Sequence, residues 1–197
     1  RGKRMVMWCG GDILNLEKSL WRHIIYRFKA RHFCENEVEA VLLRNLGIEA
    51  IIQPMCFDKI DLPITFRQSN EPHVFLCCHP NYREEYGVNL IEGLASTIPE
   101  ITFHIYGVTG RSRNNLVYHG EVSNERFNEE IKNYQSFLRL NAVDGFSEGL
   151  AKSLLMGQWP ISRISYPYVT HVKDIISLIN ALKDLCNKRE PKIEGAK

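Results

Sequence analysis

The sequence has no long apolar run. Uninterrupted hydrophobic stretches such as Met5 to Cys9 are only a few residues long, far short of the about 20 needed to span a bilayer. Net charge is equally scarce: 25 Lys and Arg against 23 Asp and Glu leave +2. With no dense basic stripe, non-specific nucleic-acid binding is not expected. The charged start Arg1-Gly2-Lys3-Arg4, and the short apolar stretch after it, do not make a secretory signal. An initiator Met and N-x-S/T sequons are also missing. The six cysteines form no C-x-x-C pair, and adjacent Cys77 and Cys78 point to opposite faces of a strand. Two readings of Cys9, Cys34, Cys56, Cys77, Cys78 and Cys186 stay open: buried free thiols of a reducing cytosol, or metal and disulfide partners.

What is present is an ordinary globular composition, 44% hydrophobic and 10% aromatic over 197 residues. That length fits one large domain, or one domain and a piece of another. The pattern alternates strands and helices. Met5 to Cys9 reads as a strand ended by Gly10-Gly11-Asp12. Leu16 to Lys29 has helical spacing, His32 to Cys34 is a short strand, and Asn36 caps a helix over Glu37 to Leu46 that Gly47 ends. Glu49 to Met55 completes β-α-β-α-β, which favours a parallel sheet. Trp8 and Trp21 read as core residues.

The stretch Phe57 to Pro72 looks like a hinge, after which the alternation restarts. Strands are expected at Val74 to Cys78, Ile101 to Tyr106, Leu116 to His119, Phe137 to Leu140 and Trp159 to Ile164. Helices are expected at Asn89 to Thr97, after the Ser123 cap to Asn133, at Glu148 to Met156, and at Val172 to Cys186, followed by a frayed Lys/Glu-rich tail. The fold class is therefore α/β: a Rossmann-like parallel sheet sandwiched by helices, plus part of a second Rossmann-like lobe. The divisions are 1–60, 61–172, and 173–197 as helix and tail. Sixty residues with three strands bury little core by themselves.

Ligands of open α/β sheets bind beyond the carboxyl ends of the strands, near helix N-termini. Four strand-to-helix loops qualify: Gly10-Gly11-Asp12, His79 to Gly87, Gly107 to Arg111, and Asn141 to Glu148. A phosphate cradle at Gly107 and Gly110 competes with a plain turn, and Arg83 as a phosphate ligand competes with a solvated loop charge. His79 follows a strand, Ser147 could equally be a helix cap, and Asp12 an ordinary helix N-terminal residue. No H-E-x-x-H and no Walker loop occurs, and hydrolase, zinc-protease and P-loop readings find no support.

A family resemblance is carried by Leu90-Ile91-Glu92-Gly93-Leu94, Pro99 to Gly107, His119-Gly120-Glu121-Val122-Ser123, Asp144-Gly145-Phe146-Ser147 and Leu154-Leu155-Met156-Gly157-Gln158. In this order the blocks resemble the C-terminal domain of retaining, nucleotide-sugar-dependent glycosyltransferases of the GT-B fold (group 1, family 4-like), from about Tyr86 to Ile161. Residues 1–60 look like the closing half of that family's N-terminal, acceptor-side domain. The resemblance implies an EC 2.4-class, hexosyl-type transferase that moves a sugar from a UDP- or GDP-sugar to an acceptor hydroxyl with retention. Its place would be cell-surface glycan or glycolipid synthesis.

The family's two glutamates, eight positions apart, fall here on Asp144 and Lys152, and its basic residue before a Gly falls on Tyr86 before Gly87. The resemblance thus implies Asp144 as the catalytic-side carboxylate. It implies Arg83, Gly107, Gly110, Gly145, Ser147, Glu148, Lys152 and His79 on the donor side, and Gly10 and Asp12 on the acceptor side. Lys152 cannot accept ribose hydroxyl bonds as a carboxylate does. It either joins Arg83 in replacing the missing diphosphate cation, or forms an i,i+4 pair with Glu148. No cofactor and no metal is expected. Expected partners are a nucleotide-sugar and a glycan or lipid-linked acceptor, with no nucleic acid and at most peripheral membrane contact. The expected location is the cytoplasm or the inner face of the membrane. The missing Met and the half-sized first lobe lead to the expectation of a longer enzyme whose N-terminal part is absent. A catalytically silent GT-B-like module that binds only a nucleotide or partner is the rival reading, favoured by Lys152; a flavodoxin-like or epimerase-type domain lacks its glycine-rich loop.

Overall fold

A computed structural model describes residues 4–17, 30–55 and 62–196. The chain divides into two compact units, Arg1–Asp58 with Val143–Glu148, and Lys59–Ala142 with Gly149–Lys197. This division departs from the expected one in two ways. The 143–148 segment belongs with the first unit, and residues 173–197 belong with the second rather than standing apart.

In the first unit, β1 (Arg4–Met7), β2 (Ala30–Cys34) and β3 (Ala50–Ile52) form a parallel sheet in that order. Met5 lies opposite Arg31, and Phe33 opposite Ile51. Helix α1 (Asp12–Glu17) and helix α2 (Glu37–Asn45) supply Ile13, Leu16, Ala40 and Leu43 to a core shared with Trp8, Cys34 and Ile48. The Asn36 side chain caps α2 by accepting from the Glu39 N–H at 3.0 Å, as expected of Asn before a helix. Trp8 is buried, and its Nε1–H donates to His32 Nδ1 at 3.1 Å. The expected continuation of a helix to Lys29, and with it Trp21, lies outside the described residues, as does Cys56.

The second unit contains β4 (His73–Cys77), β5 (Thr102–Tyr106), β6 (Leu116–Gly120), β7 (Ser136–Arg139), β8 (Ile161–Ser162) and β9 (Thr170–His171). All pair in parallel, in the order β6-β5-β4-β7-β8-β9. The strand order reverses between β4 and β7, which makes the carboxyl ends there a topological switch point. Helices α3 (Val88–Ala95), α4 (Asn124–Ile131), α5 (Glu148–Leu155) and α6 (Ile175–Leu185) complete the alternation. One sheet face (Val74, Leu76, Phe103, Ile105, Leu138) packs on Ile91 and Leu94 of α3 and on Leu178, Leu182 and Leu185 of α6. The other face carries Phe75, His104, Tyr106 and Phe137, with Phe127 of α4 ringed edge-on to Phe75 and Tyr106. Period-two alternation along each strand sorts these residues.

Helix α6 starts later than its periodicity predicts. Asp174 and Ser177 form a reciprocal capping box, and the Val172 N–H is committed to Ser162 O at 2.9 Å. The last residues also differ from the expected fray. Lys192 N–H donates to Gly157 O at 2.8 Å, and Trp159 Nε1–H to Glu190 O at 3.0 Å. The Lys188 and Lys192 ammonium groups lie 4.4 and 4.5 Å from the centre of the Trp159 ring. Two hydrogen bonds and two cation–π contacts together hold this tail with about 2 kcal/mol. Ending the chain after Asn187 should therefore lower the melting temperature by about 4–8 °C and red-shift the emission of Trp159. An unchanged melt and spectrum would show that the tail is loose in solution.

Candidate functional site

A cavity of about 480 Å³ opens at the carboxyl ends of β4, β5 and β6, lined by Pro80, Arg83, Gly107, Val108, Thr109 and Glu121. Its floor depends on Gly107. With φ at +83°, a Cβ on residue 107 would lie 2.3 Å from the Cys78 carbonyl oxygen, so any side chain would force β4 and β5 apart. The Gly107 N–H donates to Gly120 O at 2.8 Å, and the Cys78 N–H to Tyr106 O at 2.9 Å. Gly107 therefore gives the cavity space, while its own N–H is already bonded inside the protein.

Arg83 reaches across the cavity mouth. Its Nη1 donates to Thr109 O at 3.1 Å, and its Nη2 to Glu92 Oε1 at 3.1 Å and to the Tyr118 hydroxyl at 3.2 Å. Tyr118 in turn donates to Glu92. Burial, and then the bond to Glu92, push the Tyr118 phenol up to about 12. The guanidinium is fixed by three acceptors yet stays partly exposed, with a side-chain exposure of 33%. Gly110 lies against the Tyr118 ring, where any Cβ would come within 2.5 Å of it. His79 caps the short 3-10 turn Pro80–Tyr82 by accepting from the Asn81 N–H at 3.3 Å, and does not line the cavity.

Beneath this cavity runs a chain of imidazoles that sequence reasoning missed. His73 Nδ1 is 2.8 Å from His104 Nε2, and His104 Nδ1 is 2.9 Å from His119 Nε2. His119 Nδ1 lies 3.4 Å from Glu130 Oε2. Glu130 also accepts from Tyr106 at 2.6 Å and from Arg126 Nε at 2.6 Å, and Tyr134 lies 2.7 Å from the Tyr106 hydroxyl. The set is satisfied with Glu130 ionised when each Nδ1 carries the hydrogen and each neighbouring Nε2 accepts it. All three imidazoles are then neutral. Burial first, and the flanking histidines next, bring His104 down to about 3, and burial also lowers His73 and His119. One histidine on each of three successive strands, β4, β5 and β6, is the signal that could have revealed it.

The first unit holds the remaining candidates. Asp144 Oδ1 accepts from the Gly145 N–H at 2.9 Å, and the Asp144 carbonyl accepts from Asn36 Nδ2 at 2.6 Å. The Phe146 N–H donates to Glu35 Oε2 at 3.1 Å. Glu39 is wholly buried. Its carboxylate accepts from Gly10 N–H at 2.5 Å and Glu35 N–H at 2.6 Å, and burial pushes its carboxyl up. Asp12 is exposed in the first turn of α1. Glu35 and Glu39 were not among the predicted residues, although Asn36-x-x-Glu39 has the spacing of a capping box.

Ser147 and Glu148 open α5, and Gly145-Phe146-Ser147-Glu148-Gly149 has the G-x-S-x-G spacing of a hydrolase elbow, which the sequence reading passed over. The geometry is not an elbow. Strand β7 ends at Arg139, well before Ser147, and among the described non-glycine residues only Tyr168 has a positive φ. Lys152 is buried on α5; its Nζ donates to Asn128 Oδ1 at 2.9 Å and lies 5.8 Å from the Phe127 ring centre. The structure thus brings Arg83 and Gly107 to one cavity, and Gly10, Asp144 and Gly145 together in the first unit, while Lys152 faces α4.

The described cysteines are free thiols; Cys34 and Cys78 are buried, but Cys9 is exposed. No helix among the described residues is long and apolar enough to cross a membrane. No protein-family model and no curated protein matches the sequence. Solved structures do match. Over 98% of this chain and 45% of its own length, a point mutant of S. aureus TarM, solved with fondaparinux, alpha-GlcNAc-glycerol and UDP, superposes with a TM-score of 0.64 at 13% identity. The lipopolysaccharide outer core galactosyltransferase WaaB, in apo form, gives 0.65 at 20% identity over 91% and 60%. The pneumococcal O-GlcNAc transferase GtfA, solved with UDP and GlcNAc, gives 0.65 at 13% over 98% and 48%. The chain spans about half the length of the structures it matches. The likeness establishes the fold as GT-B, in agreement with the sequence resemblance.

The imidazole chain makes stability depend on pH with a definite sign. Histidines held neutral in the fold but free to protonate near 6.5 when unfolded stabilise it fully above that value and progressively less below it. His104 alone should cost about 2 kcal/mol at about pH 5. Urea unfolding at about pH 7.5 and about pH 5 should show this loss. His104→Gln, less stable overall, should lose at least half of the pH dependence.

Proposed function

We propose that this chain carries the donor-binding part of a glycosyltransferase that moves a sugar from a UDP-sugar to an acceptor hydroxyl with retention. The observation that supports this most is the cavity at the ends of β4, β5 and β6, which sets a fixed guanidinium beside a strand-end glycine in a GT-B fold. Two of the matched glycosyltransferases were solved with UDP. In the reaction, the bond from the sugar's anomeric carbon to the diphosphate oxygen breaks, one to the acceptor oxygen forms on the same face, and the acceptor's hydroxyl proton passes to the departing diphosphate. Charge builds on the departing diphosphate, so a placed cation lowers the barrier where an acid–base triad is not required.

Arg83 is that cation in this reading, through its charge and the N–H donors left over from its three protein contacts. Glu121, the carboxylate lining the same cavity, takes the ribose hydroxyls that Lys152 cannot accept. Asp144 is the carboxylate toward the sugar. The acceptor is a glycan or lipid-linked hydroxyl, as in cell-surface glycan assembly. A silent nucleotide-binding module is the second reading, favoured by Lys152, whose buried ammonium is bonded to Asn128.

Calorimetric titration with UDP, GDP and uridine, followed by an assay of slow UDP-sugar hydrolysis, separates the two. Arg83→Ala should weaken UDP about tenfold or more and change uridine less than about twofold. Binding with turnover supports the transferase, and binding alone the silent module. A chain that binds no nucleotide would overturn both.

A further inference from the structure

We propose that Glu35 and Asn36 are positioning residues that hold the Asp144-Gly145-Phe146 loop in one conformation; the catalytic part of this rests on the donor-side role given to Asp144 above. Two adjacent residues at the carboxyl end of β2 grip three consecutive loop residues more than a hundred positions away. Asn36 Nδ2 holds the Asp144 carbonyl at 2.6 Å, and Glu35 Oε2 holds the Phe146 N–H at 3.1 Å. Between them, a Cβ on residue 145 would lie 2.0 Å from Glu35 Oε2, so only glycine leaves the carboxylate its place. Fixing the carbonyl of 144 and the amide of 146 fixes the peptide planes on either side of Gly145. The Asp144 carboxylate, itself accepting from the Gly145 N–H, is thereby aimed.

The grip is anchored from behind. The Glu35 N–H donates to Glu39 Oε2, Glu39 Oε1 accepts from Gly10, and Asn36 Oδ1 caps the Glu39 N–H. The charged and titratable neighbours are Glu39 and Glu37 on α2, Asp12 on α1, and the thiols of Cys9 and Cys34. Among the described residues no cation acts on Glu35, and burial raises its carboxyl above the usual carboxylate range. Its ionised form, the stronger acceptor, is therefore lost on acidification at a higher pH than an ordinary glutamate's.

Amide hydrogen exchange over residues 143–148 reads the grip directly, and UDP-sugar hydrolysis reads its consequence. Glu35→Ala, which removes the acceptor, should speed exchange in this segment about tenfold and lower kcat about tenfold, with UDP affinity within about twofold of the parent. It should also remove the acid limb of the kcat profile. Gly145→Ala, which displaces the Glu35 carboxylate while leaving its charge, should do the same, and the double variant no more than either. Unchanged exchange in Glu35→Ala, additive effects in the double variant, or faster exchange with unaltered kcat would each overturn the proposal. A parent protein that neither binds UDP nor turns over a UDP-sugar would instead sink the nucleotide-sugar reading and the catalytic role with it. The exchange arm would still decide whether the grip exists.

Discussion

Three strand ends meet in the second unit because residue 107 has no side chain. The Cys78 carbonyl oxygen occupies the space where a Cβ would be, and the Gly107 amide ties the end of β5 to Gly120 at the end of β6. Loops leaving β4, β5 and β6 then start from one compact edge, which is why Arg83, in the loop after β4, can reach the Thr109 carbonyl in the loop after β5. The same contact sets how Tyr118 of β6 closes on Glu92 of α3. A cavity built this way owes its shape to backbone approach. Its chemistry comes from a few side chains around the rim.

The polar chain under that edge is the second consequence. Tyr106 and His119 stand immediately before Gly107 and Gly120, so whatever fixes these two side chains also fixes the strand ends that carry the cavity. An apolar face there would pack without direction. A chain of neutral imidazoles ending on an ionised carboxylate has one proton order, which ties the register of three strands to α4. The arrangement resists an extra proton: a doubly protonated His104 is a buried charge, and its Nε2–H requires His73 to change tautomer. Rigidity at neutral pH and weakness in acid are two aspects of the same hydrogen-bond geometry.

Sequence periodicity reached the alternation of elements, the caps at Asn36 and Ser123, and the loops that could carry chemistry. Those are local signals, since a cap or an apolar period is decided within one helical turn or a few strand positions. Partners distant in sequence were not legible. Nothing near Lys152 announces Asn128 on another helix, and nothing near Phe146 announces Glu35. The docked tail escaped for a similar reason: its Lys/Glu-rich composition reads as solvated, while the Trp159 ring that receives Lys188 and Lys192 lies well back in the chain. The start of α6 was misplaced because apolar spacing carried the helix through Val172, and the Asp174–Ser177 box overrode it.

Lys152 is best understood through α5 itself. A side chain at this position faces α4 rather than the carboxyl edge of the sheet, with its ammonium on Asn128 and over Phe127. A carboxylate on the same backbone would meet the Asn128 side chain through its amide hydrogens, so either charge can be accommodated by rotating one amide. A carboxylate or an ammonium at this position is therefore compatible with the same helix packing. On the cavity wall, Glu121 follows directly on the Gly120 that Gly107 holds in place. The Lys152 contact and the glycine edge act on different parts of one unit.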